Sequence, residues 1–261
     1  MFRMPNVTRP APVNDPNYIR VAGHRGYRKA FPENTLLSFQ KALEIGVDMI
    51  EFDLHLSKDG HLVIIHDDLL DRTTNGSGPV KDLTLSELQS LDAGSWMGPE
   101  FKGLTIPTLD ELLETVHSQP DLLFNVEIKS KTHETVDKAI HTLKHFNVID
   151  RCVIACFDAR ILHYVHDHWG LRCQGFPETH LQNYSDGPEG TFSKLYSVGI
   201  EKSILTPERV KHFQALNILP WGYVIDTTSD AQKCLDLGVT LVTCDDPVPA
   251  LNLYRSLGVH P

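Results

Sequence analysis

A chain of 261 residues, 41% hydrophobic and 22% charged, has a globular composition and room for one large core. Its net charge of -10 excludes a broad nucleic-acid-binding face, which needs clustered Lys and Arg, but leaves room for a local cationic pocket. With no run of 18 or more apolar residues, stable membrane insertion is not expected; the Pro-rich, polar opening MFRMPNVTRPAPVNDPNY has no signal-peptide core, so a cytoplasmic location is.

Residues 1–18 read as an N-terminal arm and residues 19–261 as one domain. The first predicted strand, Arg20–Ala22, runs into Gly23-His24-Arg25-Gly26, where glycines on both sides permit a sharp turn and close approach to a ligand. Asn34–Ile45 predicts a helix, with Leu36, Leu37, Phe39, Ala42 and Leu43 on one stripe and Gly46 as its stop. The second strand, Met49–Leu54, carries Glu51 and Asp53 two positions apart, hence on one side. Two carboxylates on one face of an apolar strand repel and resist desolvation, and a shared cation resolves both problems. Oxygen ligands suit Mg2+ or Ca2+, with Mn2+ as an alternative. The bland reading is a strand-end pair balanced by Lys or Arg.

Residues 55–105 break the rhythm. They hold a strand, His61–Ile65, then His66, turns at Asn75-Gly76 and Gly78-Pro79, and a short helix near Leu85–Leu91. A βα connection usually takes about 2–6 residues, so this is an insertion between strand 2 and helix 2. Thr108–Val116 then opens with a Thr108/Glu111 capping box. The strand Leu122–Ile128 leads to Asn125, Glu127 and Lys129 on one side. In a barrel, adjacent strand ends would bring Glu127 to Glu51 and Asp53, and Lys129 to an anionic oxygen; otherwise Glu127 and Lys129 are a plain ion pair.

Helices are predicted at His133–Phe146, Ala159–His168, Pro207–Leu216, Ser229–Leu237 and Val248–Leu257, and strands at Cys152–Ala155, Arg172–Phe176, Ser197–Glu201, Leu219–Val224 and Thr240–Thr243. Between Phe176 and Ser197 a helix is expected, but the run is rich in Gly, Pro and polar residues and does not place it. Eight strands alternating with helices predict an α/β fold, a (β/α)8 TIM barrel with the insertion over its C-terminal mouth. No G-x-G-x-x-G or Walker loop competes with that reading. The five cysteines, odd in number and without a C-x-x-C pair, read as buried free thiols. His24 and His66 stand at strand-to-loop junctions and suit an acid–base pair. The other twelve histidines, His55 among them, read as surface or satisfied core.

Gly23-His24-Arg25-Gly26, Pro32-Glu33-Asn34-Thr35, Ile50-Glu51-Phe52-Asp53, Lys58-Asp59-Gly60, His66-Asp67 and Asp71-Arg72-Thr73-Thr74-Asn75-Gly76 occur in this order, followed by Ile106-Pro107-Thr108-Leu109, Asn125-Val126-Glu127-Ile128-Lys129 and Thr243-Cys244-Asp245-Asp246-Pro247. The ordered set, from about Val21 to Pro247, resembles the glycerophosphodiester phosphodiesterase family. The resemblance implies metal-dependent hydrolysis of a small glycerophosphodiester, such as glycerophosphocholine or glycerophosphoethanolamine, to glycerol 3-phosphate and an alcohol. It implies Glu51, Asp53 and Glu127 as ligands of one divalent cation, His24 and His66 as the acid–base pair, and Arg25 and Lys129 as phosphate-holding cations. Asn34 would orient groups at the site, supported by Glu33. Where the family shows Trp-Thr-Val-Asn, this chain has Trp221-Gly222-Tyr223-Val224-Ile225-Asp226, which puts Tyr223 in the aromatic substrate-lining position. Two other readings stay open: a phospholipase-D-like enzyme acting on lysophospholipids or sphingolipids, and a non-catalytic glycerophosphate-binding protein. A homo-oligomer is compatible with the sequence.

Overall fold

The computed structural model describes residues 18–261, so the arm expected at residues 1–18 lies, Tyr18 apart, outside them. Among the described residues nine strands form: β1 (Arg20–Gly23), β2 (Met49–Leu56), β3 (Leu62–Ile64), β4 (Leu123–Ile128), β5 (Cys152–Ala155), β6 (Cys173–Gly175), β7 (Ser197–Glu201), β8 (Leu219–Tyr223) and β9 (Leu241–Cys244). The order β1-β9-β8-β7-β6-β5-β4-β2 is parallel throughout, and β1 pairs again with β2 through Ala22↔Met49 and Gly23↔Ile50. That pairing closes an eight-stranded barrel. β3 is the exception, antiparallel on the upper end of β2 with Leu54 opposite Ile64 and Leu56 opposite Leu62.

Strands covered on both faces must be apolar on both, which is why β2, β4 and β5 are buried almost throughout. Ala22, Met49, Leu123, Val153, Trp221 and Leu241 plug the barrel's lower interior. Trp221 is fully buried there, its indole N–H donating to Thr243 Oγ1 at 2.7 Å. Above this plug the inner faces turn polar, and the site begins.

The outer layer is α1 (Leu36–Glu44), α3 (Leu109–Val116), α4 (His133–His145), α5 (Ala159–Tyr164), α6 (Pro207–Ala215), α7 (Thr228–Asp236) and α8 (Val248–Ser256), while α2 (Leu85–Gln89) belongs to the insertion. Threonine caps α1 through α4, α6 and α7, each accepting from a backbone N–H in the first turn, a contact worth about 1 kcal/mol. The predicted Thr108/Glu111 capping box is present.

Two stretches depart from the sequence reading. The helix predicted at Ala159–His168 is α-helical only to Tyr164, then widens into a π turn over Val165–Trp169. The wider turn lets Trp169 Nε1 join Tyr164 Oη on one acceptor, Asp137 Oδ1, at 2.9 and 2.8 Å, a tertiary pull that periodicity does not report. Between β6 and β7 the described residues form only a 3-10 turn, Thr191–Lys194. Without a helix there, a hollow of about 960 Å3 opens on the outer wall beside α6, lined by Tyr184, Phe192 and Phe213.

Val63, Ile65, Leu70, Val80, Leu88 and Ala93 of the insertion share a small core with Ile106, just beyond it. Leu70 is fully buried in it, whereas Leu69 and Trp96 are exposed. Phe101 packs edge-on against Phe31 of the β1–α1 loop at 6.0 Å, which ties the insertion to the barrel mouth. Among the described residues no helix is long and apolar enough to cross a membrane, and the five cysteines are buried and unpaired.

Candidate active site

The parallel register of β2 and β4 sets Asp53 beside Glu127 and Glu51 beside Asn125. Glu51, Asp53 and Glu127 each offer an oxygen within 4.8 Å of the others, and all three are buried. Burial and the neighbouring Asp53 and Glu127 push the Glu51 carboxyl well above its ordinary range. Burial also raises Glu127, against the pull of Lys129. Asp53 goes the other way: burial alone would raise it, but Lys129 and then Arg25 hold it ionised. Among the described residues no donor makes a hydrogen bond to Glu51 Oε1 or Asp53 Oδ1, although Lys129 Nζ lies 3.2 Å from the latter. Buried carboxylate oxygens without donors are costly, and hard oxygen donors at this spacing fit a divalent cation.

His24 follows β1 and His66 follows β3. His24 Nδ1 lies 2.5 Å from Asp245 Oδ1, and His66 Nδ1 lies 2.5 Å from Asp67 Oδ1. A carboxylate on Nδ1 fixes the ring orientation and leaves Nε2 for other work. His24 Nε2 points back at Glu51 Oε2, 3.9 Å away. Burial lowers both histidines' pKa values, opposed by Asp245 at His24 and chiefly by Asp53 at His66.

The two expected cations are already engaged. Arg25 NH1 donates to Glu33 Oε1 at 2.8 Å and its Nε lies 3.3 Å from Asp53 Oδ2, while Lys129 Nζ donates to Glu127 Oε1 at 2.5 Å. Arg25 holds a left-handed backbone, φ 53°, which a non-glycine residue adopts only when its surroundings impose it. They do so: Arg25 N donates to Glu51 Oε2, while Ser38 Oγ and Asn34 N both donate to Arg25 O. Gly26 makes this turn possible, since at φ 84° a Cβ would meet Ser38 Oγ at 2.4 Å. Asn34 Nδ2 donates to Asp53 Oδ2 at 2.8 Å.

His24, Arg25, Glu51, His66, Glu127 and Lys129 line one cavity of about 140 Å3 in the barrel mouth. The opposite wall is mainly aromatic. Phe157 stacks on Phe176 with centroids 3.5 Å apart, and Tyr223 meets Phe176 edge-on at 5.8 Å. Gly199 makes room for that wall, because a Cβ there would approach Phe176 to 2.9 Å. The mouth is thus ionic along β1, β2 and β4 and aromatic along β5, β6 and β8. The outer-wall hollow is larger, but none of these titratable groups lines it.

Several contributors stand outside the residues expected from the sequence. Asp67 and Asp245 were legible as the acids following His66 and ending the β9 motif, but their bonds to the histidines were not. Arg28 approaches His24 Nδ1 and Asp245 Oδ1 at 3.5 and 3.7 Å. Arg72, from the insertion, clasps both oxygens of Glu33 at 3.0 and 2.7 Å and both oxygens of Asp67 at 2.6 and 3.1 Å. Against burial, Arg72 and then Arg25 bring the Glu33 pKa down to about 2. A carboxyl lowered on folding stabilises the protein above its unfolded pKa, and that stability drains away as pH falls from the ordinary 4.5 to about 2. Arg72→Met is therefore expected to cost about 2 kcal/mol at pH 7, discounted for the half-exposed guanidinium, with the deficit shrinking toward pH 2. Urea unfolding of both proteins across that range checks it; a deficit independent of pH contradicts it.

Comparison with known proteins converges on one family. The sequence model of the glycerophosphoryl diester phosphodiesterase family matches residues 24–248. A glycerophosphodiester phosphodiesterase of Caldanaerobacter subterraneus subsp. tengcongensis is 37% identical over 249 residues, covering 91% of this chain and 98% of that protein. Among solved structures, a phosphodiesterase of Oleispira antarctica in complex with the product sn-glycerol-3-phosphate superposes with a TM-score of 0.77 at 29% identity, over 91% of this chain and 96% of that one. A glycerophosphodiester phosphodiesterase of Thermotoga maritima superposes with a TM-score of 0.70 at 25% identity, over 92% and 98% of the two chains.

Proposed function

Because this chain belongs to the glycerophosphoryl diester phosphodiesterase family, we propose that it hydrolyses glycerophosphodiesters to glycerol 3-phosphate and an alcohol in the barrel mouth, with a divalent cation held by Glu51, Asp53 and Glu127. One observation carries the site assignment: three buried carboxylates converge between two histidines, each anchored through Nδ1 by an aspartate. Mg2+ or Ca2+ is the cation that all-oxygen ligation favours. When bound, it supplies Lewis-acid neutralisation of charge on the phosphodiester.

The chain's own residues do the rest. Arg25 and Lys129, aligned by Glu33, Asp53 and Glu127, present positive charge to the phosphoryl oxygens without reorganising as the reaction proceeds. His24, with Asp245 behind it, takes through Nε2 the proton of the attacking oxygen, that of water or of the neighbouring glycerol hydroxyl, the latter route forming a cyclic phosphate that water then opens to glycerol 3-phosphate. His66, with Asp67 behind it, gives a proton to the departing alcohol oxygen. Asn34 keeps Asp53 turned toward the cluster by donating to its other oxygen. Phe157, Phe176 and Tyr223 exclude water on the far side and cover the apolar part of the substrate.

Release of glycerol 3-phosphate from glycerophosphocholine and glycerophosphoethanolamine, with Mg2+, Ca2+, Mn2+ or EDTA, tests the reading. Turnover that EDTA abolishes and one cation restores is expected. Turnover indifferent to EDTA would remove the cation from the proposal, and absence of turnover with every cation would remove the substrate class.

A further inference from the structure

Glu51, Asp53 and His55 alternate along β2 and so form one row facing the same side. His55 reads from sequence as satisfied core, and it is buried, with 3% of its surface exposed. Its partners make it more specific than filler. Nε2 lies 3.2 Å from the backbone oxygen of His66, and Nδ1 lies 3.2 Å from Ser130 Oγ. Ser130 Oγ accepts from Leu56 N at 3.2 Å, leaving its own hydroxyl hydrogen for Nδ1. Nδ1 is then the acceptor, and the imidazole hydrogen sits on Nε2, aimed at the His66 carbonyl.

The backbone explains why that carbonyl needs a donor. The antiparallel ladder of β2 and β3 pairs Leu54 with Ile64, and Ile65 N still donates to Asp53 O at 3.1 Å. His66 is the next residue, where the chain leaves the strand. A side chain from β2 takes over where the ladder stops. Ser130 in turn directly follows Lys129, at the end of the strand that carries Glu127. One imidazole therefore braces the His66 loop against the strand end that bears Glu127 and Lys129.

We propose that His55 is a positioning residue for His66: held by Ser130, it fixes the His66 carbonyl and thereby the height of the His66 ring above the carboxylates. This rests on His66 taking part in proton transfer, which His66→Ala tests separately. If His66→Ala keeps its turnover, that reading falls, whatever His55 does.

The discriminating series is His55→Phe, His55→Gln and Ser130→Ala, each assayed for kcat, KM and melting temperature in saturating cation. His55→Phe keeps the ring volume and removes the donor. It is expected to lower kcat about 30-fold, since a misplacement of about 1 Å can cost up to 100-fold, with KM changed less than about twofold. His55→Gln places an amide donor near the Nε2 position and is expected to recover kcat to within about threefold of wild type. Ser130→Ala leaves the imidazole but removes the hydroxyl that orients it, and is expected to lower kcat about threefold, with a small drop in melting temperature because Leu56 N loses its acceptor. The proposal is overturned if His66→Ala is inactive while His55→Phe retains full kcat. It is equally overturned if Gln and Phe at position 55 lose kcat alike, if the loss tracks melting temperature, or if Ser130→Ala is unchanged.

Discussion

Replacing His66 with alanine is expected to lower kcat by about 10^2- to 10^4-fold, the usual contribution of a positioned general acid, while KM and melting temperature move little. The small effect on stability follows from place: His66 sits at the mouth after β3, outside the barrel's plug. The pH profile carries the stronger signature. Burial already pulls the His66 pKa below its ordinary value, and Asp53 and Asp67 work against that pull. Asp67→Asn weakens the opposition, so the pKa should fall further. An acid must hold its proton to act, so the alkaline limb of kcat/KM is expected to move to lower pH in Asp67→Asn. A limb that stays in place, or moves up, would show that His66 is not the proton donor. His24→Ala and Asp245→Asn offer the mirror experiment: a base works when deprotonated, so loss of Asp245 should carry the acidic limb to lower pH.

The second large effect is expected from Glu51→Gln, and it has opposite signs in the presence and absence of cation. Without a cation, Glu51 is a buried carboxyl crowded by Asp53 and Glu127, with its pKa raised on folding. A raised carboxyl favours the folded state below its unfolded pKa and loses that contribution as pH climbs through the folded one. At neutral pH in EDTA, removing the charge should raise the melting temperature. With saturating Mg2+ or Ca2+ the order should reverse, because the wild type gains binding energy: a ligand at 100 times its Kd adds about 2.7 kcal/mol to the folded state. Glu51→Gln should show little of that gain and almost no turnover. Thermal melts of both proteins with and without cation decide the matter. A wild-type melt indifferent to every divalent ion, or a mutant less stable in EDTA, would mean that the three carboxylates are satisfied by Arg25 and Lys129 alone.

The barrel was legible because buried parallel strands must be apolar on both faces and because eight such runs recur between amphipathic stretches. Glu51, Asp53 and Glu127 stood out because charges inside such runs have few inexpensive explanations. What escaped the sequence reading were contacts between segments distant in the chain. His24 and Asp245 are separated by 221 positions, and nothing local marks them as partners. Arg72 reaches Glu33 across 39 positions, from an insertion whose pattern shows turns but not where they lie against the mouth. His55 looked like one more histidine among fourteen, because its relation to Ser130 exists only once β2 and β4 are paired. The π turn after α5 and the helix-free β6–β7 connection were unreadable for a related reason: Asp137 gathers the first, and the second is shaped by its own polar turns rather than by a hydrophobic stripe.

The division of the mouth into an ionic arc and an aromatic arc has an evolutionary corollary. The groups assigned to bond breaking descend from β1, β2, β3 and β4, whereas the rings that line the rest of the cavity descend from β5, β6 and β8, the two arcs meeting where Lys129 lies 5.8 Å from the Phe157 ring centre. Inheritance can therefore act on the arcs separately. On the proposed reaction, substitutions at Phe157, Phe176, Gly199 and Tyr223 would alter the shape offered to the substrate's alcohol portion, at positions that supply none of the carboxylates or histidines. A lineage carrying this barrel would then change its diet by drift along one side of the mouth while the other side keeps its chemistry.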